Sequence, residues 1–285
     1  MTARYGVIGW PIAHSRSPLI HNYWLEAAGL DGVYEAVAVP PDTDFRAKLE
    51  DLRAQGFAGV NVTIPHKEAA FAAVDTHDAA AARLGAVNTI CLAEETISGH
   101  NTDGRGFIDS LAQVHDTTAK SASGGLAGPA LVLGAGGAAR AIIGALLGAG
   151  VGDIRVTNRT RARAESLVAL ADTPDRISVF DWAAREDAAQ GATLLVNTTS
   201  LGMHGAPALE MGLDALAASA IVADIVYVPL ETDLLARARA AGFTPVDGLG
   251  MLVHQAAHAF DLWFGQRPRF DTILRERLHR DLGEA

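Results

Sequence analysis

Apolar positions in this chain fall into short runs of two kinds that alternate. Runs rich in Val, Ile and Tyr, at 4–9 (RYGVIG), 33–39 (VYEAVAV), 58–63 (AGVNVT) and 88–92 (NTICL), predict strands. Between them, alanine-rich stretches near 18–28, 42–54 and 66–83 predict helices, and a further helix is expected from Asp103 to about His115. The segment 117–129 (TTAKSASGGLAGP) is small and polar with no apolar period, which makes it the candidate joint between two domains. A second series follows: strands at 130–134, 153–158, 177–180, 192–197 and 220–226, with a helix over 136–148. The end is helical, and Leu252, Ala256, Ala259 and Trp263 share one face of the stretch 250–265 at helical spacing. Strands alternating with helices imply an α/β fold with largely parallel sheets. No internal repeat stands out.

Length supports two domains, since 285 residues is near the size at which one core divides. The formal net charge of −10, with no basic block, argues against binding nucleic acid. The N-terminus enters a strand pattern directly, and the longest apolar run, 141–151, is too short to cross a bilayer, so no membrane association is expected. A single cysteine, Cys91, excludes an intrachain disulfide and a thiolate zinc cluster. The expectation is a soluble, acidic, cytoplasmic protein.

The chemistry concentrates in a few motifs. In 132–143 (VLGAGGAARAII), Gly134, Gly136, Gly137, Ala138 and Ala139 form a GxGxxA pattern after a strand and at the opening of a helix. Gly134 allows the tight turn, Gly136 lets a pyrophosphate approach the backbone, and Ala139 lets helix and strand pack closely. The helix N-terminus adds free N–H groups and partial positive charge. The bland alternative is a close-packed turn in a glycine-rich chain. The next strand would carry an Asp or Glu at its end in an NAD-binding unit, but here it ends in Asn158, followed by Arg159, Thr160, Arg161 and Arg163. A neutral residue before clustered guanidinium groups suits a 2′-phosphate and favours NADP, against an ordinary solvated helix start.

Only three of the 23 basic residues are lysine: Lys48, Lys67 and Lys120. Lys67 closes the stretch NVTIPHK, and lysine, unlike arginine, can release its proton. Composition alone would make it a surface residue. Ser15 and Ser17 point the same way in an extended segment and would bind a carboxylate, or Ser17 would simply cap the helix that Pro18 begins. Asp103 suits a helix cap as well as chemistry. The segments 196–203 and 248–252 lie at strand-to-helix loops, the usual ligand sites of parallel sheets. His254 and His258 stand four apart on a helix without the glutamate of the metalloprotease motif, and no metal is expected.

The ordered set GWPIAHSRSPLIHN, NVTIPHK, GAVNT, GHNTDGRGF, GAGGAAR, NRTRARA, NTTSLGM, YVPLET and DGLGMLVHQAAHAF spans almost the whole chain and closely resembles the shikimate dehydrogenase family. That resemblance implies reversible, NADPH-dependent reduction of 3-dehydroshikimate to shikimate in aromatic amino-acid (chorismate) biosynthesis. It implies an N-terminal α/β substrate domain, residues 1–103 plus 250–285, and a Rossmann-type NADP domain, 104–249, separated by a cleft that is the active site. By motif match, Lys67 and Asp103 take the catalytic pair. Ser15 and Ser17 hold the substrate carboxylate, and Asn61, Thr63, Asn88, Tyr227 and Gln255 match the other substrate contacts. Gly248 and Met251 match positions beside the nicotinamide. Asn158 stands where the acid of NAD-binding relatives would be, and Arg159, Thr160 and Arg163 match the surroundings of the 2′-phosphate.

In the resemblance, Lys67 would protonate the alkoxide left by hydride addition or stay charged and stabilise it, with Asp103 orienting it. Two further readings stand: a quinate/shikimate dehydrogenase using NAD, disfavoured by Ser17 and Asn158, and a non-catalytic metabolite sensor, disfavoured by the intact catalytic pair. The expected partner is a small molecule, and the expected state a monomer or homodimer.

Overall fold

The computed structural model describes residues 2–92, 95–115, 126 and 128–283. The chain divides into two compact units, Met1–Thr102 with Gln255–Ala285, and Asp103–His254. The candidate joint at 117–129 falls mostly on residues outside those described. The division instead comes between Thr102 and Asp103, because the helix beginning at Asp103 packs within the second unit. A Cβ on Gly104 of that helix would lie 2.7 Å from the carbonyl oxygen of Ala141.

The first unit contains β1 (Ala3–Gly9), α1 (Ser17–Ala28), β2 (Gly32–Ala38), α2 (Phe45–Ala54), β3 (Phe57–Val62), α3 (Lys67–Ala73), β4 (Thr76–His77), α4 (Ala79–Leu84), β5 (Thr89–Cys91) and β6 (Ser98–His100). Its sheet has the order β2-β1-β3-β5-β6-β4. The expected parallel character holds for β1 with β2 and β3, and for β4 with β6. It fails at β5, which runs antiparallel to both β3 and β6. The helix expected over 66–83 is two short helices with β4 between them. Asp75 draws the chain out of the helix by accepting the Ile97 N–H at 2.8 Å, and Asp78 starts α4 afresh by accepting the Ala81 N–H at 2.6 Å. The core joins Ile8, Val60, Val62 and Ile90 of the sheet to Phe45, Leu49 and Leu52 of α2, whose buried positions recur at helical spacing.

The second unit contains α5 (Asp103–His115), β7 (Ala130–Leu133), α6 (Gly137–Gly148), β8 (Ile154–Asn158), α7 (Arg161–Glu165), β9 (Ile177–Asp181), α8 (Arg185–Ala188), β10 (Leu194–Asn197), β11 (Ile221–Asp224), α9 (Asp233–Ala240) and β12 (Thr244–Val246). Its six strands follow the order β12-β11-β10-β7-β8-β9, and every pair is parallel. That is the doubly wound order of a dinucleotide-binding sheet, with the reversal between β7 and β10. β7 and β10 are buried along their whole lengths, as strands covered on both faces must be.

Two helices close the chain: α10 (Gly248–Phe264), whose residues from Gln255 on belong to the first unit, and α11 (Thr272–Asp281). Leu249, Val253, Ala256, Ala257, Ala259 and Phe260 of α10 are buried; of the expected face, Ala256 and Ala259 are buried while Leu252 and Trp263 are only partly so. Strands β4, β6 and β12, each two or three residues long, give no periodic signal in the sequence. Among the described residues no helix is long and apolar enough to cross a membrane.

Candidate active site

In the first unit the functional side chains sit where strands give way to helices. α1 begins at Ser17, with Arg16 at the capping position and no side-chain cap. Ser17 is therefore not the cap. Its own N–H donates to Ser15 Oγ at 3.3 Å, which brings the two serines together at the first turn. Ser17 is buried and Ser15 half-buried. β3 ends at Val62, and the next residue, Thr63, bonds its N–H to the Ile8 carbonyl at 2.9 Å. His66 then caps α3 from a buried position, its ring nitrogen 2.7 Å from the Val39 carbonyl. Lys67 is the first residue of α3 and half-buried, and its carbonyl accepts the Val87 N–H at 2.9 Å.

Three of the expected substrate contacts belong to one buried polar network. Asn61 Nδ2 donates to the Asn88 carbonyl at 3.2 Å and to Thr89 Oγ1 at 3.0 Å. Asn88 Nδ2 donates to Thr102 Oγ1 at 2.9 Å and to Gln255 Oε1 at 3.3 Å, while its Oδ1 accepts the Thr102 N–H at 2.8 Å. Asn61, Asn88 and Thr102 are each at most 5 % exposed, so these amides are held in fixed orientation. Asp103 follows Thr102 and opens α5, 7 % exposed.

The second unit supplies the features of a dinucleotide site. Gly134 has φ +109°, and a Cβ there would lie 2.5 Å from Thr198 Oγ1 across the β7–β10 reversal. Only glycine suits that position. Gly136 caps α6 without any side-chain cap, and Cβ atoms on Gly136 and Gly137 would meet nothing within 4 Å. The open space lies over the N-terminus of a twelve-residue helix, where Ala138 and Ala139 complete the first turn. A pyrophosphate fits there. Asn158 ends β8, and its Nδ2 donates to the Thr160 carbonyl at 2.8 Å, holding the turn. Arg161 is paired with Glu165 at 2.8 Å and Asp181 at 2.7 Å. Arg159 and Arg163 are exposed and, among the described residues, have no carboxylate partner, so their charge is available to an anion.

Further along, Tyr227 is half-buried after β11. A Cβ on Gly248 would come 2.3 Å from the Ile225 carbonyl oxygen, so glycine lets the first turn of α10 lie against that loop. Asp247 Oδ1 accepts the Leu249 and Gly250 N–H groups at 3.0 and 3.2 Å, and Met251, half-buried, follows. The helical pair His254 and His258 diverges: His254 meets Gln113 Oε1 at 3.2 Å and His258 meets Arg267 at 3.2 Å. No cluster of three or more metal-ligating side chains occurs among the described residues.

Some buried polar side chains are given no role by the motifs. Asn197 and Asp224, at the ends of β10 and β11, are joined at 2.9 Å, and Asp224 also accepts from Thr232 at 2.8 Å and from the Val226 N–H at 3.1 Å. Burial raises the Asp224 carboxyl above its ordinary range against those bonds. A polar residue closing an otherwise apolar strand run was the available signal. Tyr34, which donates to Asn61 Oδ1 at 2.7 Å, offered none, being one more aromatic in a strand.

Comparison with known proteins agrees with the motifs. The chain matches the shikimate dehydrogenase substrate binding domain over residues 7–90, the shikimate / quinate 5-dehydrogenase domain over 117–200 and the shikimate 5'-dehydrogenase C-terminal domain over 248–276. It is 50 % identical over 271 residues to the shikimate dehydrogenase (NADP(+)) of Paramagnetospirillum magneticum, covering 95 % of both chains. The structure of shikimate 5-dehydrogenase from Thermus thermophilus in complex with NADP(H) and shikimate superimposes with a TM-score of 0.83 at 38 % identity, over 98 % of this chain and 99 % of that one. Quinate dehydrogenase from Corynebacterium glutamicum in complex with NAD superimposes with a TM-score of 0.88 at 31 % identity, over 98 % and 99 %. With these matches running through both units and in the order of the motifs, the chain belongs to the shikimate dehydrogenase family.

Proposed function

We propose that this chain is an NADP-dependent shikimate dehydrogenase, reducing 3-dehydroshikimate reversibly to shikimate in chorismate biosynthesis. The observation that carries the choice within the family is the end of β8. Asn158 stands there in place of an acid, and Arg159 and Arg163 follow with no carboxylate among the described residues to neutralise them. A carboxylate at that point would repel a 2′-phosphate, whereas available guanidinium groups bind it with strong charge-assisted bonds. Gly136, Gly137 and the first turn of α6 would receive the pyrophosphate common to NAD and NADP.

The bound coenzyme supplies a hydride to the ketone carbon. The C–H bond forms as the carbonyl π pair moves to oxygen, and the alkoxide must gain a proton. Lys67 gives that proton and takes it back in the reverse direction, while its charge favours the developing oxyanion. Asp103 is the second member of the pair. Ser15 and Ser17 donate hydrogen bonds to the substrate carboxylate, and Asn61, Thr63, Asn88, Tyr227 and Gln255 fix the ring hydroxyls. Gly248 and Met251 would flank the nicotinamide. The enzyme acts in the cytoplasm as a monomer or homodimer, without nucleic acid or membrane.

The overlay with an NAD-bound quinate dehydrogenase supports a second reading, quinate oxidation with NAD. Absorbance at 340 nm separates the two. Shikimate with NADP should give a rate well above quinate with NAD, and the reverse order would overturn the proposal.

A further inference from the structure

Tyr34 lies on β2, away from every motif of the resemblance, yet it bonds one of the side chains assigned to the substrate. It is 2 % exposed. Its hydroxyl donates to Asn61 Oδ1 at 2.7 Å. Burial raises the phenol well above its ordinary range, so it remains a protonated donor at any working pH. Its position is fixed from the other side by α1. Asn22 clamps the Tyr34 backbone with two bonds, Nδ2 to the carbonyl at 2.8 Å and Oδ1 from the N–H at 2.9 Å. The His21 ring stacks on the Tyr34 ring with centroids 4.1 Å apart and planes within 3°. Burial pushes the His21 imidazole down to about 3, the nearby Asn61 side chain opposing weakly, so the stack is between two neutral rings.

The consequence for Asn61 is chemical. Both its N–H bonds are committed, to the Asn88 carbonyl and to Thr89, and one lone pair of Oδ1 is taken by Tyr34. The remaining capacity is a single acceptor site. In that state Asn61 recognises a hydroxyl that donates and cannot serve an acceptor.

We propose that Tyr34 is a positioning residue for substrate, holding Asn61 as an acceptor for a substrate hydroxyl. This rests on the reading of Asn61 as a substrate contact. The test is the dissociation constant of shikimate measured without coenzyme, beside kcat, the NADP KM and the melting temperature. One neutral hydrogen bond corresponds to roughly a 2- to 12-fold change. Tyr34→Phe should weaken shikimate by that factor with the NADP KM unchanged, and its effect should disappear in an Asn61→Ala background. Asn22→Ala, at a half-buried position, loosens the same clamp and should weaken shikimate at least about twofold. The inference is overturned if both variants bind shikimate as wild type while Asn61→Ala does not. Losses that add in the double variant, or that fall equally on shikimate and NADP, overturn it as well. If Asn61→Ala itself binds shikimate normally, the assignment of Asn61 fails, and the inference with it.

Discussion

Lys67 stands at the start of a seven-residue helix, fixed by the Val87 bond to its carbonyl and by the buried His66 before it. Because the backbone is held on both sides, Lys67→Met should remove the proton donor without disturbing the binding groups. The expected result is a fall in kcat of roughly 10²- to 10⁴-fold with little change in the shikimate KM, measured by initial rates. Ser15→Ala should act the other way, raising the shikimate KM about tenfold, because a hydrogen bond to a charged group is worth roughly 1.5–3 kcal/mol. A fall in melting temperature with KM unchanged would show that Ser15 only supports the turn through Ser17. At the coenzyme, Arg159→Ala should raise the NADP KM by about 10- to 150-fold and leave NAD-linked activity nearly unchanged. Arg161→Ala should do little, since its guanidinium is already engaged by Glu165 and Asp181. Each of these residues was visible in the sequence as a motif position. Invisible was Tyr34, which donates to Asn61, because hydrogen bonding between strands leaves no trace in local spacing.

At the scale of elements, the edge formed by β4, β6 and α4 carries a pH dependence. His100 Nδ1 lies 3.7 Å from Asp78 Oδ2, and Asp78, with a further contribution from Cys91, raises the imidazole from 6.5 to about 9. The folded chain therefore holds that proton more tightly than the unfolded chain. The stabilisation is complete below about pH 6.5 and is lost as pH rises through about 9. Comparing melting temperatures of wild type and His100→Gln between about pH 6 and 10 tests this: the wild type should lead at the acid end, and the gap should close by the alkaline end. A gap independent of pH would mean that the pair with Asp78 is not formed. This edge is also where the sequence misled. Alanine-rich periodicity ran through 66–83, and nothing local announced that Asp75 would bond to Ile97, twenty-two residues away, and break the helix. The second unit was more legible, since buried parallel strands such as β7 and β10 are continuous apolar runs and the helix after β7 begins at glycines.

Over the whole molecule, the sequence disclosed two α/β units, because alternating periods survive any detail of pairing. It did not disclose that β5 runs antiparallel, since strand direction depends on which neighbour is met. The proposed activity needs Lys67 in the first unit and, in the second, a β8 that ends in Asn158 and is followed by exposed arginines. Its most direct test is kcat/KM for all four combinations of shikimate or quinate with NADP or NAD. Shikimate with NADP should be highest, and replacing NADP by NAD should cost at least about tenfold. A wild-type enzyme that prefers NAD, or oxidises quinate faster than shikimate, would contradict it.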